Sequence, residues 1–180
     1  MSEIQLPASG LAEDILPLYR ERKREHHLVT FTLGEEYGVP IHQVQEIIRV
    51  SGVTKVPNSP PYMDGVINLR GRILPVLNLR KRLNLVPRDT GRAARIVVTE
   101  VGEKVIGLLV DGVSHVVKMP SESVEAPPEE VLEVDTDYIT GVGKLKDRLI
   151  ILLDLERLLK RDAVELGSLT GEGGSHGEEG

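Results

Sequence analysis

The chain has no cysteine and no tryptophan, and aromatic residues make up only 3% of its 180 residues. Without cysteine it has no disulfides, thiolate zinc sites or cysteine nucleophiles, which is consistent with a reducing compartment. Few aromatic rings and a formal net charge of −6 leave neither stacking platforms nor a basic face for nucleic acid. We therefore expect no nucleic-acid partner.

Long apolar runs are also missing. No stretch approaches the roughly 20 apolar residues that cross a bilayer. The first residues include acidic side chains, whereas a secretory signal peptide begins with basic ones. We expect a soluble, cytoplasmic chain with no direct membrane insertion, and its 40% hydrophobic content is enough for a substantial core.

Motifs of catalysis and metal binding are not found either. The five histidines do not have the His-x-His or His-x-x-x-His spacing of metal ligands. No serine elbow, phosphate-binding glycine loop or dinucleotide fingerprint occurs. We expect no catalytic residue, no metal and no cofactor. The opposing hypothesis, a small enzyme or ligand-binding barrel, requires a deep polar pocket with perturbed titrating groups.

What the chain does contain, from Leu28 onward, is a series of short Val, Ile and Leu runs separated by Gly, Pro and charged pairs. This pattern is typical of closely spaced strands in a barrel or sandwich. Segment 37–50 is rich in β-branched residues, and Pro40 within it predicts a bent or edge strand. We divide the chain into a partly helical N-terminal extension (1–27), a domain (28–160) and an acidic, Gly-rich tail expected to be disordered (161–180).

One 19-residue segment of the sequence occurs twice. Residues 65–83 (GVINLRGRILPVLNLRKRL) and 141–159 (GVGKLKDRLIILLDLERLL) agree at seven of 19 positions without gaps. In both halves a strand with an internal glycine comes first, a proline-containing loop second and this repeated segment last. We predict two related all-β subdomains, about 28–86 and 92–160, each with about five short strands and a terminal helical turn.

The repeat also predicts local structure. Gly71 allows a tight turn between two strands because glycine tolerates positive φ. Asn78 and Asp154 occupy matching positions before leucine-rich segments and are expected to be helix N-caps. The copies differ at the turn, which is Arg70-Gly71 in the first and Lys146-Asp147 in the second. Since the fold is compatible with either turn sequence, we infer that the first turn is under an additional, more specific constraint.

Two charged residues and an apolar series form the candidate site. Glu46 lies in an apolar run, where strand alternation makes a solvent-facing position the default, and Arg70 by itself is an ordinary turn residue. Brought together, they would form an ion pair that bridges strand and turn. The same run contains the apolar series Val39, Ile41, Val44 and Ile47. It is too apolar for one strand face, and an exposed apolar groove marks a protein-binding site.

Taken together, the segments VPIHQVQEII, GVINLRGRILPVLNLRKRL, IGLLVDGV and GVGKLKDRLIILLDLERLL resemble the CheW family of bacterial chemotaxis coupling proteins. The resemblance runs from about Leu28 to Leu159, and the NLRG turn followed by I-x-P-V-x-N/D-L is its most specific element. It implies two intertwined five-stranded SH3-like barrels with short helices and an apolar seam. It also implies a non-enzymatic adaptor between the cytoplasmic tip of a chemoreceptor and the regulatory domain of the histidine kinase CheA, recruited to membrane receptor arrays.

The same resemblance assigns roles by position. Glu46 and Arg70 match the charged pair near the family's receptor surface. The apolar lining of its groove is matched by Ile41, Val44, Ile47 and Val113. The extension and the acidic tail are not family features. An adaptor of another receptor–kinase pathway, such as gliding, twitching or development, is the alternative. The receptor-binding residues implied in this way are Ile41, Val44, Glu46, Ile47, Arg70 and Val113.

Overall fold

The computed structural model describes residues 25–129 and 137–160, so the predicted N-terminal helix and acidic tail lie outside it. Neither helix of the described ranges is long and apolar enough to span a bilayer. The strands are β1 (His26–Leu33), β2 (Glu35–Pro40), β3 (Val44–Arg49), β4 (Met63–Leu69), β5 (Arg72–Asn78), β6 (Arg95–Val101), β7 (Lys104–Val110), β8 (Gly112–Met119), β9 (Val124–Glu125), β10 (Ile139–Leu145) and β11 (Arg148–Leu153). The helices are α1 (Leu79–Arg82) and α2 (Leu155–Lys160), with 3-10 turns at Ile41–Gln43 and Ser121–Ser123.

These strands form two sheets, which confirms the all-β class. One sheet has the order β8-β1-β2-β11-β10-β9 and the other the order β3-β6-β7-β5-β4. We expected five strands in each barrel, whereas the two sheets contain six and five strands. The sixth is the two-residue β9 beside β10, and at the equivalent place the other sheet has only a single bridge between Thr54 and Val66.

Each sheet takes two strands from the opposite repeat. β1 and β2 pair with β8 and β11, whereas β6 and β7 pair with β3 and β5. The two parallel junctions correspond, because Gly107 of β7 lies beside Val76 and Gly38 of β2 takes the matching place beside β11. Thus the division at 28–86 and 92–160 separates the sequence repeats, while both sheets cross it. This exchange is the intertwining that the family resemblance implied.

Three apolar clusters hold the sheets together. One lies within each sheet's own curve, and the largest lies between the sheets. Because side chains alternate along a strand, neighbours enter different clusters. Val97 belongs to the cluster between the sheets and Val98 to the five-stranded sheet's own cluster, and Val29 and Leu28 divide in the same way in β1. Burial on both faces explains the nearly continuous Val and Ile runs.

Segment 37–50 breaks more sharply than a bent strand. β2 ends at Pro40 within the six-stranded sheet, a 3-10 turn follows, and β3 becomes an edge of the five-stranded sheet. Proline lacks the N–H that a continuing ladder would need. The break transfers the chain from one sheet to the other.

The two hairpins of the repeat have the same register. Leu69 lies opposite Arg72, so the first turn consists of Arg70 and Gly71, whose φ angles are 53° and 89°. Two successive positive φ values characterise the type I′ turn that suits a two-residue hairpin. In the second hairpin, Lys146 has the same φ of 53°.

The helices begin at the two residues named from the sequence. The Asn78 side chain accepts a hydrogen bond from the Lys81 amide at 3.2 Å, and Asp154 accepts one from the Arg157 amide at 3.1 Å. Each bond satisfies one of the free N–H groups of a first turn. Both hairpins are therefore followed directly by a capped helical turn.

Candidate functional site

Glu46 and Arg70 meet at the surface of the five-stranded sheet. Arg70 extends from the β4–β5 turn, which is held by a hydrogen bond from the Gly71 amide to the Asn68 side chain at 2.8 Å. Both terminal nitrogens of Arg70 donate to Glu46, with Nη1 3.3 Å from Oε1 and Nη2 on Oε2. Such a two-pronged contact fixes the orientation of both side chains as well as their separation.

This ion pair exists because the five-stranded sheet curls. β3 and β4 are its two edges, yet Glu46 of β3 reaches the turn at the end of β4. Glu46 lies opposite Val98, whose side chain enters the cluster inside the curve. The pair thus closes the open side of the barrel, where its two edges approach each other.

The electrostatics of the pair follow from its exposure. The Glu46 side chain is 30% exposed and that of Arg70 70% exposed. The hydrogen bond from Arg70, with its charge, lowers the pKa of Glu46, although partial burial opposes this. Arg70 consequently presents a fixed guanidinium to solvent beside a carboxylate that stays ionised at neutral pH.

The apolar candidates lie on a different face from Glu46. A bulge at Gln45 makes Val44 pair with Thr99 and Glu46 pair with Val98, so these β3 residues point to opposite sides of the sheet. Ile47 pairs with Val97 and therefore shares the face of Val44. The apolar series lies along the seam between the sheets, whereas Glu46 lies on the inner face of the five-stranded sheet.

Two large aliphatic side chains along this seam are exposed to solvent. Ile41 is 38% exposed and Ile47 40% exposed. Val44 and Val113 are half-buried and pack against the cluster between the sheets. The predicted set therefore divides in two: four aliphatic residues along the seam, and the Glu46–Arg70 pair at the adjoining barrel edge.

Sequence reasoning missed a second ion pair. Arg80 of α1 is buried and donates to both oxygens of Asp111 at 2.9, 2.9 and 2.6 Å, and to the Val86 carbonyl at 2.7 Å. These contacts attach α1 to the end of β7, and the hydrogen bond with Asp111 raises the pKa of Arg80. In sequence Arg80 is one of three adjacent basic residues, and nothing distinguishes it from its exposed neighbour Lys81.

Arg82 occupies an equally unforeseen position. Its guanidinium lies 5.7 Å from the ring centre of Tyr62 and 5.5 Å from that of Tyr138, the residue at the same place in the second repeat. It also donates to the Leu158 carbonyl of α2 at 3.0 Å. Cation–π contacts of this kind link the two repeats at their junction.

Among residues 25–129 and 137–160, no three acidic or histidine side chains are grouped as metal ligands. What the described surface offers is a different kind of site. A double barrel of exchanged strands carries solvent-exposed aliphatic residues along its seam, beside an oriented Glu–Arg pair. These are features of a protein-binding module.

Comparison with known proteins identifies the family. The CheW-like domain matches residues 27–163. The chain is 39% identical to the chemotaxis protein CheW of Klebsiella aerogenes over 76% of this chain and 82% of that protein. It is 34% identical to the Bacillus subtilis protein of the same name, over 77% and 89%. The chain belongs to the CheW-like family.

A solved structure agrees with this assignment. The scaffolding protein TtCheW of Thermoanaerobacter tengcongensis superposes with a TM-score of 0.70 at 35% identity, over 75% of this chain and 92% of that one. The fold and the relatives' names together make this chain a chemotaxis scaffold of the CheW type. The match leaves 1–26 and 164–180 outside the family domain.

Proposed function

We propose that this protein is a non-enzymatic adaptor that couples the cytoplasmic signalling tip of a chemoreceptor to the regulatory domain of the histidine kinase CheA. It would act in the cytoplasm, recruited to receptor arrays at the membrane. The role requires two protein-binding surfaces and no chemistry. The chemotaxis names of its relatives and the scaffolding description of the solved structure support it.

The observation that carries the proposal is the exposure of Ile41 and Ile47 beside the Glu46–Arg70 pair. A helix that lays an apolar stripe along the seam would cover both isoleucines, and such helix-in-groove binding is a common recognition mode. The Arg70 guanidinium, 70% exposed even while paired, would remain available to an acidic or carbonyl group of that helix. Aliphatic contacts would provide affinity, and the oriented arginine would set the register.

The test measures binding of two partners separately: a receptor signalling fragment and a kinase regulatory domain. Ile47→Ser and Arg70→Ala should each weaken receptor binding about tenfold, as loss of a central contact does. The matched controls are Val86→Ser, an aliphatic residue that is 78% exposed in a loop, and Lys146→Ala at the equivalent turn position. Both controls should bind like the parent chain.

Binding of neither partner by the parent protein would refute the adaptor role. If Arg70→Ala lost binding only because it lowered the melting temperature, while Lys146→Ala did not, Arg70 would be a structural residue. If Val86→Ser and Ile47→Ser weakened receptor binding equally, the seam would not be the binding surface.

A further inference from the structure

An arginine cluster outside the proposed receptor site has no ion-pair partner among the described residues. Arg49, Arg92 and Arg95 line an open depression of about 580 Å³ whose other lining residues are uncharged. Arg49 lies directly opposite Arg95 in the β3–β6 ladder, an arrangement in which like charges destabilise a sheet. We call these three residues the arginine triad.

The triad is not neutralised within the described part of the chain. Arg49 and Arg92 form no ion pair there, and Arg95 only donates from Nη1 to the carbonyls of Arg92 and Ala94, at 2.9 and 2.7 Å. By contrast, nearby Arg80 and Arg88 both contact Asp111. An unfavourable cluster of this kind is stabilised by an anion, and guanidinium groups suit carboxylates in particular.

We propose that the arginine triad binds an acidic polypeptide, and that its occupant is the acidic tail of this same chain. The whole chain has a net charge of −6, and residues 161–180 contain five carboxylate side chains but one arginine. Charge complementarity favours this segment, and covalent attachment adds an effective concentration in the millimolar range. The acidic residues are Asp162, Glu165, Glu172, Glu178 and Glu179.

Neighbouring elements connect the start of the tail to the triad. The tail follows α2, which contacts α1 through the Arg82–Leu158 hydrogen bond. A narrow depression beside α1 continues to Thr90 and Ala94, which also line the triad's depression. Its charged lining residues are Arg80, Arg88, Asp89 and Asp111. The 12 residues from 161 to Glu172 span at most roughly 40 Å.

The experiment uses the full chain and exploits its lack of cysteine. A nitroxide on Ser175→Cys is then the only spin label, and amide NMR signals report which residues it approaches. Signals from Thr90 to Ala94 should lose most of their intensity. Arg49→Gln with Arg92→Gln should restore them while leaving the hydrogen bonds of Arg95 in place, and so should about 1 M salt, where the Debye length is about 3 Å.

Lys118→Gln with Lys144→Gln removes the same charge from the other sheet and should leave the loss unchanged. Undiminished signals at Thr90 to Ala94 in the parent chain, or a loss that survives the arginine changes, would overturn the proposal. Mixing spin-labelled protein with isotope-labelled, spin-free protein detects contacts between molecules. If the mixture shows a comparable loss, the occupant is a second copy and the intramolecular assignment is wrong.

A competitor tests the chemistry of the site. Hexaglutamate should shift the triad's amide signals strongly when the three distal carboxylates of the tail are removed by Glu172→Gln, Glu178→Gln and Glu179→Gln, and weakly in the parent chain. Equal shifts in both would show that the tail does not occupy the triad. No shift in either would show that the triad does not bind acidic peptides.

Discussion

The β4–β5 and β10–β11 hairpins have nearly the same backbone but different surfaces. Both contain a register shift at a glycine, Gly65 or Gly141, and both have a residue with φ of 53° in the turn. In the first, Arg70 of the turn is paired with Glu46. In the second, Lys146 has no such partner among the described residues. The two copies have kept the backbone conformation of the hairpin and differ in the charged side chains of the turn.

The largest expected difference between the hairpins concerns their glycines. Gly65 has φ of 147°, and a Cβ there would overlap the Thr54 carbonyl oxygen of the bridging segment. A Cβ on Gly141 would lie 2.7 Å from Val124 Cγ1, a side chain that can move. We expect Gly65→Ala to reduce the free energy of unfolding by about 3–4 kcal/mol and Gly141→Ala by about 1–2 kcal/mol.

Urea unfolding of the two glycine variants measures both values. The difference between them is the informative quantity, since both residues gain the same methyl group. Equal losses would mean that the bridge at Thr54 can shift as easily as the Val124 side chain.

Arg80 and Glu156, at matching places in the two helical turns, should differ almost as much. Arg80→Met leaves half-buried Asp111 without its main partner and should cost about 2–3 kcal/mol, because Arg88, 3.5 Å from Asp111, compensates only in part. Glu156 is exposed, so Glu156→Met should stay within about 0.5 kcal/mol of the parent.

Thermal and urea unfolding of this second pair gives the comparison. Asp111→Asn tests the same contact from the other side and should also destabilise the protein. A stable Arg80→Met variant would contradict the view that this ion pair attaches α1 to β7.

The smallest expected effect is the pH dependence of the Glu46–Arg70 coupling. Arg70 lowers the pKa of Glu46 in the folded state below its ordinary value of about 4.3. The contact therefore stabilises the fold above that ordinary value, and this contribution is lost as pH falls through the lowered pKa. A double-mutant cycle with Glu46→Gln and Arg70→Met should show favourable coupling at pH 7 and less at about pH 2.

The same cycle on Lys144 and Glu125 of the second hairpin provides a reference. Their side chains are 59% and 62% exposed, so we expect coupling near the limit of measurement, as for most surface ion pairs. Coupling between Glu46 and Arg70 that did not fall in acid would show that the contact is not an ion pair.

How far the candidate site was predictable depends on the distance in sequence between its parts. The turn at Gly71 and the caps at Asn78 and Asp154 were predictable because each rests on one residue's conformational preference or on a partner three residues away. The Glu46–Arg70 contact joins residues 24 apart and Arg80–Asp111 residues 31 apart. The first of these was raised as a possibility from the sequence, and the second was not.

The bulge at Gln45 shows the limit of pattern reading. Strict alternation would place Val44 and Glu46 on one face, yet the extra residue sends them to opposite faces. Sequence could therefore name the members of the site without showing that they form two neighbouring surfaces.

By itself, the sequence determined the all-β class, the repeat, the turns and the helix caps, because these follow from local backbone preferences and from matching residues 76 positions apart. Only the tertiary structure decided which strands share a sheet, because β1 and β2 satisfy the same hydrogen-bonding rules beside either repeat. It also decided where charges meet. The curl of the five-stranded sheet brings its two edges together, and with them Glu46 and Arg70, and no pattern along the chain encodes that curvature.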